Sequence, residues 1–189
     1  MKTRVLVAFL VAIAMASGTL KAQNNPDAQV QVAEPQYINS FYALTPNGNF
    51  IDLEYRNVVL HPKSWAVPGY ASVKMVADLK PGQSPIRLSP SAQFVVRGDV
   101  NVNPATIYEL RLLKGSKSHR EFVLSQAHGS IVGGAVNPEE GAIPIRFEDY
   151  GTSSFRIISQ QPLAPGEYAL MVRGRYSMLF CFGVDGGKQ

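Results

Sequence analysis

The chain has one cysteine and one tryptophan in 189 residues. With Cys181 alone there is no internal disulfide, so packing and hydrogen bonding must hold the fold. No cysteine lies near residue 22, which argues against a lipid-anchored lipoprotein. Cys181 sits in Met178-Leu179-Phe180-Cys181-Phe182 and reads as a small buried hydrophobe rather than a reactive thiol, which needs a basic, partly exposed setting. Histidine is scarce too. His61, His119 and His128 lack the spacing and the helix on which paired zinc ligands usually sit, although His119 and His128 would approach each other if the chain folded back between them. Charge of one sign is never clustered. The basic residues are scattered singly along strands and turns, so there is no electrostatic footprint for nucleic acid.

Long apolar runs are missing beyond the first: Val5 to Ala16 follows Lys2 and Arg4 and precedes Ser17-Gly18-Thr19 and Leu20-Lys21-Ala22. A charged start, a greasy middle and small residues make the order of a secretory signal peptide. The run of 12 residues is short of the roughly 20 that span a bilayer as a helix. Cleavage is expected after Ala22, leaving no transmembrane anchor and an exported protein, periplasmic or extracellular. Cleavage also removes three of the 18 basic residues, leaving 15 against 14 acidic and a net charge of +1. The expected organisation is a signal over 1–22, a flexible leader over 23–36 carrying Pro26 and Pro35, one domain over 37–185 and a disordered tail over 186–189.

The domain reads as all-β. Short runs rich in Val, Ile, Tyr and Phe are broken by Gly, Pro, Asn and Ser, and no stretch keeps a helical period. Thr45-Pro46-Asn47-Gly48 predicts a hairpin between 37–44 and 49–55. Pro62 and Pro68 predict a break over 62–69, because proline cannot donate to a ladder. Lys80-Pro81-Gly82-Gln83 reads as a turn. Ile107 to Leu113 is expected to pair with Glu121 to Gln126 across the loop Lys114–Ser118, setting Leu110 and Leu112 against Phe122 and Leu124. Residues 127–141 read as a long Gly-rich loop. About nine or ten short strands with frequent turns predict a sandwich or a barrel, and a single β-sandwich is the architecture expected.

The segment Pro162-Leu163-Ala164-Pro165-Gly166-Glu167-Tyr168-Ala169-Leu170 resembles the tyrosine corner of immunoglobulin-like and fibronectin-like sandwiches. On that resemblance Pro165-Gly166 turns the chain from one sheet to the other, and Tyr168 folds over the corner with its hydroxyl on a carbonyl near Leu163. Tyr168, Leu170 and Val172 would share one face. The stretch from Pro162 through Phe180-Cys181-Phe182-Gly183-Val184-Asp185 is similar to the C-terminal end of secreted bacterial β-sandwich proteins without an assigned activity. That likeness implies export and a β fold, and no chemistry.

The remaining motifs carry no chemistry. Ile131-Val132-Gly133-Gly134 matches the activated N-terminus of trypsin-like proteases, but no histidine follows it to serve as the base of a triad. Glu139-Glu140 and Glu148-Asp149 are adjacent, and neighbours on a strand face opposite ways, so neither is an acid/base couple. Asp99, Asn101 and Asn103 lack the charge density of a calcium loop and read as turn chemistry. No cofactor is implied. Trp65 has two readings: a plug for one end of the sandwich, which is favoured, or with Tyr70 an exposed stacking platform for a sugar or peptide. The function expected is non-catalytic binding of a protein or glycan in the cell envelope. Candidate recognition loops are 61–70, with His61, Trp65 and Tyr70, and 127–141, with His128. A free edge strand accepting a partner's strand is a second binding mode. The competing class is a hydrolase of envelope polymers, with carboxylates or His128 gathered in a cleft.

Overall fold

Apolar runs this short, closed off by turn residues, leave room for strands and little else. The computed structural model describes residues 32–130, 133–137 and 141–186. Along them run β1 (Phe41–Leu44), β2 (Phe50–Asp52), β3 (Glu54–Asn57), β4 (His61–Val67), β5 (Tyr70–Leu79), β6 (Arg87–Leu88) and β7 (Gln93–Arg97). One helical turn, α1 (Pro104–Ile107), leads into β8 (Tyr108–Gly115), β9 (Arg120–Ser130), β10 (Gly133–Asn137) and β11 (Ala142–Ile143). The chain ends in β12 (Ile145–Tyr150), β13 (Ser154–Ser159), β14 (Gly166–Val172) and β15 (Met178–Val184). The turns use the expected chemistry. Gly48 takes φ +79° and its N–H donates to the Thr45 carbonyl. Asp99 Oδ1 accepts the Asn101 N–H, and Asn103 Oδ1 accepts the Ala105 N–H to cap α1. Among the described residues no helix is long and apolar enough to cross a membrane.

The fold is an all-β sandwich of two packed sheets. The first has the order β12-β13-β7-β1-β2. The second runs β3-β15-β14-β8-β9-β5-β4, with β11 beside β8, β10 beside β9 and β6 beside β15. The inner faces meet in one core: Tyr168, Leu170 and Val172 from β14 and Phe182 and Val184 from β15 pack on Phe41, Phe94, Val96, Phe155 and Ile157. Phe182 lies 4.8 Å from Phe94 and 5.4 Å from Tyr168 between ring centroids. The Tyr168 hydroxyl donates to the Ala164 carbonyl at 2.6 Å, so Pro165-Gly166 forms a braced bend ahead of β14. Burying each such side chain contributes roughly 1.5–3 kcal/mol.

The second sheet does more than face the first. Alternate residues of β14 and β15 (Ala169, Met171, Leu179 and Cys181) are buried on its outer face against Ala77, Leu79, Leu113 and Phe122. The β5–β9 half of the sheet therefore turns back over its own β14–β15 half. Both faces of β14 and of the later part of β15 are buried, and burial pushes the Cys181 thiol up to about 12. This is why β8 and β9 do not form the expected hairpin. They pair only at Lys114–Glu121 and Gly115–Arg120, then diverge. Leu110 goes to Leu170 and Ile143, while Phe122 goes to Ala77.

A buried ionic cluster occupies the fold-back. The Arg120 guanidinium is fully buried and donates to both Glu54 oxygens, at 2.8 and 3.0 Å, and to the Pro81 carbonyl at 3.0 Å. Glu54 also takes Arg56, and Glu167 takes Arg87 and the Ser84 N–H. Desolvation works to raise the Glu54 carboxyl, but Arg120, Ser84 and Arg56 hold it below its usual value. The cations are thus not all surface charges: Arg111 is buried too, its guanidinium 5.9 Å from the Phe122 ring centre.

Two expected loops are strands. Residues 62–69 belong to β4 and its turn, and β9 and β10 occupy much of 127–137. Pro62 is tolerated because β4 is the outermost strand among the described residues, where a missing N–H breaks no ladder on the free side. Pro68-Gly69, with Gly69 at φ +84°, closes a two-residue turn between Val67 and Tyr70. In β9 and β10 the small residues Ala127, Gly129, Gly133 and Gly134 follow the backbone ladder despite weak strand propensity. The extra strands raise the total above the nine or ten expected. Residues 1–22, Ile131-Val132, Glu139-Glu140 and the last three residues lie outside the described residues.

The leader is anchored before it ends. The Glu34 carboxylate accepts from the Thr152 N–H and hydroxyl (2.7 and 2.9 Å), the Ser153 N–H and hydroxyl (both 3.0 Å) and the Ser154 hydroxyl (2.7 Å). Desolvation would raise its pKa, but these donors, Thr152 first, bring it from 4.5 to about 2. The folded form thus holds the carboxylate more tightly than the unfolded chain. Its stabilisation is complete above pH 4.5 and is lost as pH falls through about 2. Glu34→Gln should cost on the order of 2 kcal/mol at pH 7. Urea midpoints of both proteins measured from pH 6 to pH 2 check this: the gap between them should close toward the acid end, and a gap independent of pH would contradict it.

Candidate functional site

The four strands β4, β5, β9 and β10 form an antiparallel ribbon. Its registers place Trp65 opposite Ser72, Ser72 opposite His128, and Val67 opposite Tyr70. Directly opposed residues on a sheet share a face, and diagonal neighbours lie close enough for aromatic rings to touch. Trp65, Tyr70 and His128 therefore converge on one face, although 58 positions separate Tyr70 from His128. Trp65 meets Tyr70 edge-on at 6.0 Å, and Tyr70 stacks on His128 at 6.1 Å. The Tyr70 hydroxyl is 2.6 Å from His128 Nδ1. With that nitrogen unprotonated the hydroxyl donates to it, which fixes the imidazole plane against the phenol ring.

Trp65 does not plug the sandwich: it is 58% exposed, and Val67 and Tyr70 beside it are exposed as well. The reason is topological. The core is already closed by Phe41, Phe94, Tyr168 and Phe182, and β4 is carried beyond it on β5. Three of the four candidate recognition residues are thus brought together, but on the faces of a hairpin and its neighbour instead of on end loops. His61 lies apart, at the other end of β4, with Nε2 3.3 Å from Asp78. His119 is at the opposite end of β9 from His128, bonded to Ser116, so those two histidines do not meet.

At the base of the ribbon Lys63 bridges Asp78 at 2.8 Å and Glu121 at 2.7 Å. The hydrogen bonds that Lys63 donates to Asp78 and Glu121 raise its pKa, and Lys63 in turn lowers that of Asp78. This group ties β4 to β5 and β9. Its members come from three separate strands, so no spacing in the sequence announces it. Tyr168, Pro165 and Gly166 sit where the chain bends into β14 and serve the fold. Glu148 and Asp149 lie on β12, where Glu148 pairs with Arg146 and Arg156. Among the described residues no group of three His, Cys, Asp or Glu is placed to hold a metal ion.

This geometry defines an all-β sandwich that presents an exposed aromatic face on an edge ribbon. No family model, curated protein or solved structure matches the chain.

Proposed function

We propose that this chain is an exported, immunoglobulin-like β-sandwich protein of the cell envelope, periplasmic or outside, that acts without catalysis by binding a polypeptide partner through the β4 edge and the Trp65–Tyr70–His128 face. The observation that carries this reading is the exposed Trp65 on the outermost strand. Edge strands are normally blunted by charge or covering, because their free N–H and C=O groups template further pairing. Here the strand's last residues, Ser64 to Val67, are uncharged and exposed. An extended segment adding to β4 would gain main-chain hydrogen bonds from the edge and a large apolar anchor from Trp65. The Pro165-Gly166 bend and the Tyr168–Ala164 bond support the immunoglobulin-like part of the reading, and the residue order of 1–22 supports export.

A photo-crosslinking amino acid placed at position 65 in intact cells tests it, with position 146 on β12 as the exposed control. One reproducible protein adduct at 65, absent at 146 and lost on Val67→Pro, is expected. Adducts equal at both positions, or turnover of a glycan or peptide by the purified protein, would overturn it.

A further inference from the structure

A groove lies where β2 ends and β3 begins. At Leu53 the chain leaves the first sheet for the second, and the gap between them forms a groove of about 440 Å³. Grooves of this size hold small ligands when apolar walls are combined with a few polar groups. The walls are aromatic. Tyr42 stands opposite Asp52 across β1–β2, and Tyr55 stands opposite Phe180 across β3–β15, their rings 5.4 Å apart. Tyr55 is 52% exposed, so its ring is open to a ligand. Three residues with planar polar side chains, Asp52, Arg175 and Asn39, are among those that line the groove. Asn39, held at φ +62°, uses its Oδ1 to accept from the Tyr108 hydroxyl, which leaves the amide nitrogen pointing away from that bond. Among the described residues neither Asp52 nor Arg175 has a side-chain hydrogen bond or ion pair.

From this arrangement we infer that the groove binds a neutral saccharide of roughly one or two rings. The flat C–H face of a pyranose packs on an exposed tyrosine ring, an apolar surface with a polar rim. Vicinal hydroxyls match planar groups that donate or accept in pairs: the carboxylate takes two O–H donors, and the guanidinium offers parallel N–H groups. One negative and one positive side chain leave the groove without net charge, which disfavours a purely anionic or cationic ligand. The site is separate from the ribbon and does not depend on the ribbon's role.

Amide chemical shifts of the labelled protein, followed during titration with chitotriose, cellotriose and maltotriose, test this, with glycyl-tyrosine as a zwitterionic comparator. At least one trisaccharide should shift residues 38–42, 52–55 and 175–180. Tyr55→Ala and Asp52→Asn should each weaken it by about tenfold or more, with circular dichroism unchanged because both side chains are exposed. Arg146→Ala, exposed on β12 at the other edge of the first sheet from β2, should leave the affinity as it was. Arg175→Ala provides an independent check should either variant lose its fold. No shifts with any of the three sugars, shifts confined to residues 61–73 and 123–130, or binding of glycyl-tyrosine alone would each overturn the inference.

Discussion

Replacing Arg120 by methionine should destabilise the protein by about 3–5 kcal/mol, the cost of leaving a buried carboxylate without its partner. The guanidinium is 0% exposed, and it satisfies both oxygens of Glu54, itself nearly buried. Methionine fills much of the same volume but leaves Glu54 with only Arg56 and Ser84, and leaves the Pro81 carbonyl without its donor. Such a loss is a large fraction of the roughly 5–15 kcal/mol that keeps a domain folded. Urea denaturation gives the number. The companion variant Glu54→Gln and the double variant complete a cycle. The double variant should be less damaged than the sum of the two single ones, because removing both charges leaves none stranded. Additive losses would show that the two side chains do not depend on each other. A loss under about 1 kcal/mol for Arg120→Met would place the guanidinium in solvent.

Met171→Ala should cost about 2–5 kcal/mol, while Leu112→Ala should cost well under 1.5 kcal/mol. In a sandwich of two simple layers this ranking would be reversed or flat. Leu112 stands opposite Tyr168 in the inward row of β8, and Met171 lies on the face of β14 opposite Leu170. Here Met171 is 0% exposed beneath the fold-back, against 43% for Leu112. Thermal midpoints suffice: the first variant should lose on the order of 10 °C and the second only a few degrees. Equal small losses would mean that β5 and β9 do not cover β14 and β15, and Arg120 would lose its burial with them.

Particular residues show where local reasoning carries through. Asn47-Gly48 places a tight turn because Gly48 needs positive φ, and nothing distant alters that need. Tyr168 is placed as soon as Pro165-Gly166 is read as a bend, since an amphipathic ring at the start of a strand must bury its body and satisfy its hydroxyl nearby. The inward row Tyr168, Leu170 and Val172 follows from the two-residue period of a strand. Cys181 among apolar neighbours reads as buried, and it is. Other readings fail for equally physical reasons. Proline over 62–69 signals a break only if the strand has neighbours on both sides, and among the described residues β4 has one. Glycine and alanine over 127–137 signal a loop only if no ladder lies alongside, and β5 supplies it. Glu34 looks like any polar residue of a leader until Thr152, Ser153 and Ser154 are seen to converge on it.

The candidate site divides the same way. Trp65 and Tyr70 are neighbours across one short hairpin, so their proximity is nearly local. His128 reaches them only because β9 abandons β8 for β5, and the groove of Tyr42, Tyr55, Asp52 and Arg175 exists only because the chain changes sheets at Leu53. The sequence by itself determined the class of fold, the turns, and which row of each late strand is apolar, since side-chain alternation and backbone preference act over a few residues. The tertiary structure alone decided which strands pair, that one sheet doubles back to bury its outer face, and that Arg120 lies inside. Those outcomes depend on which apolar surfaces find each other across long separations, and hydrophobic burial favours contact without specifying a partner.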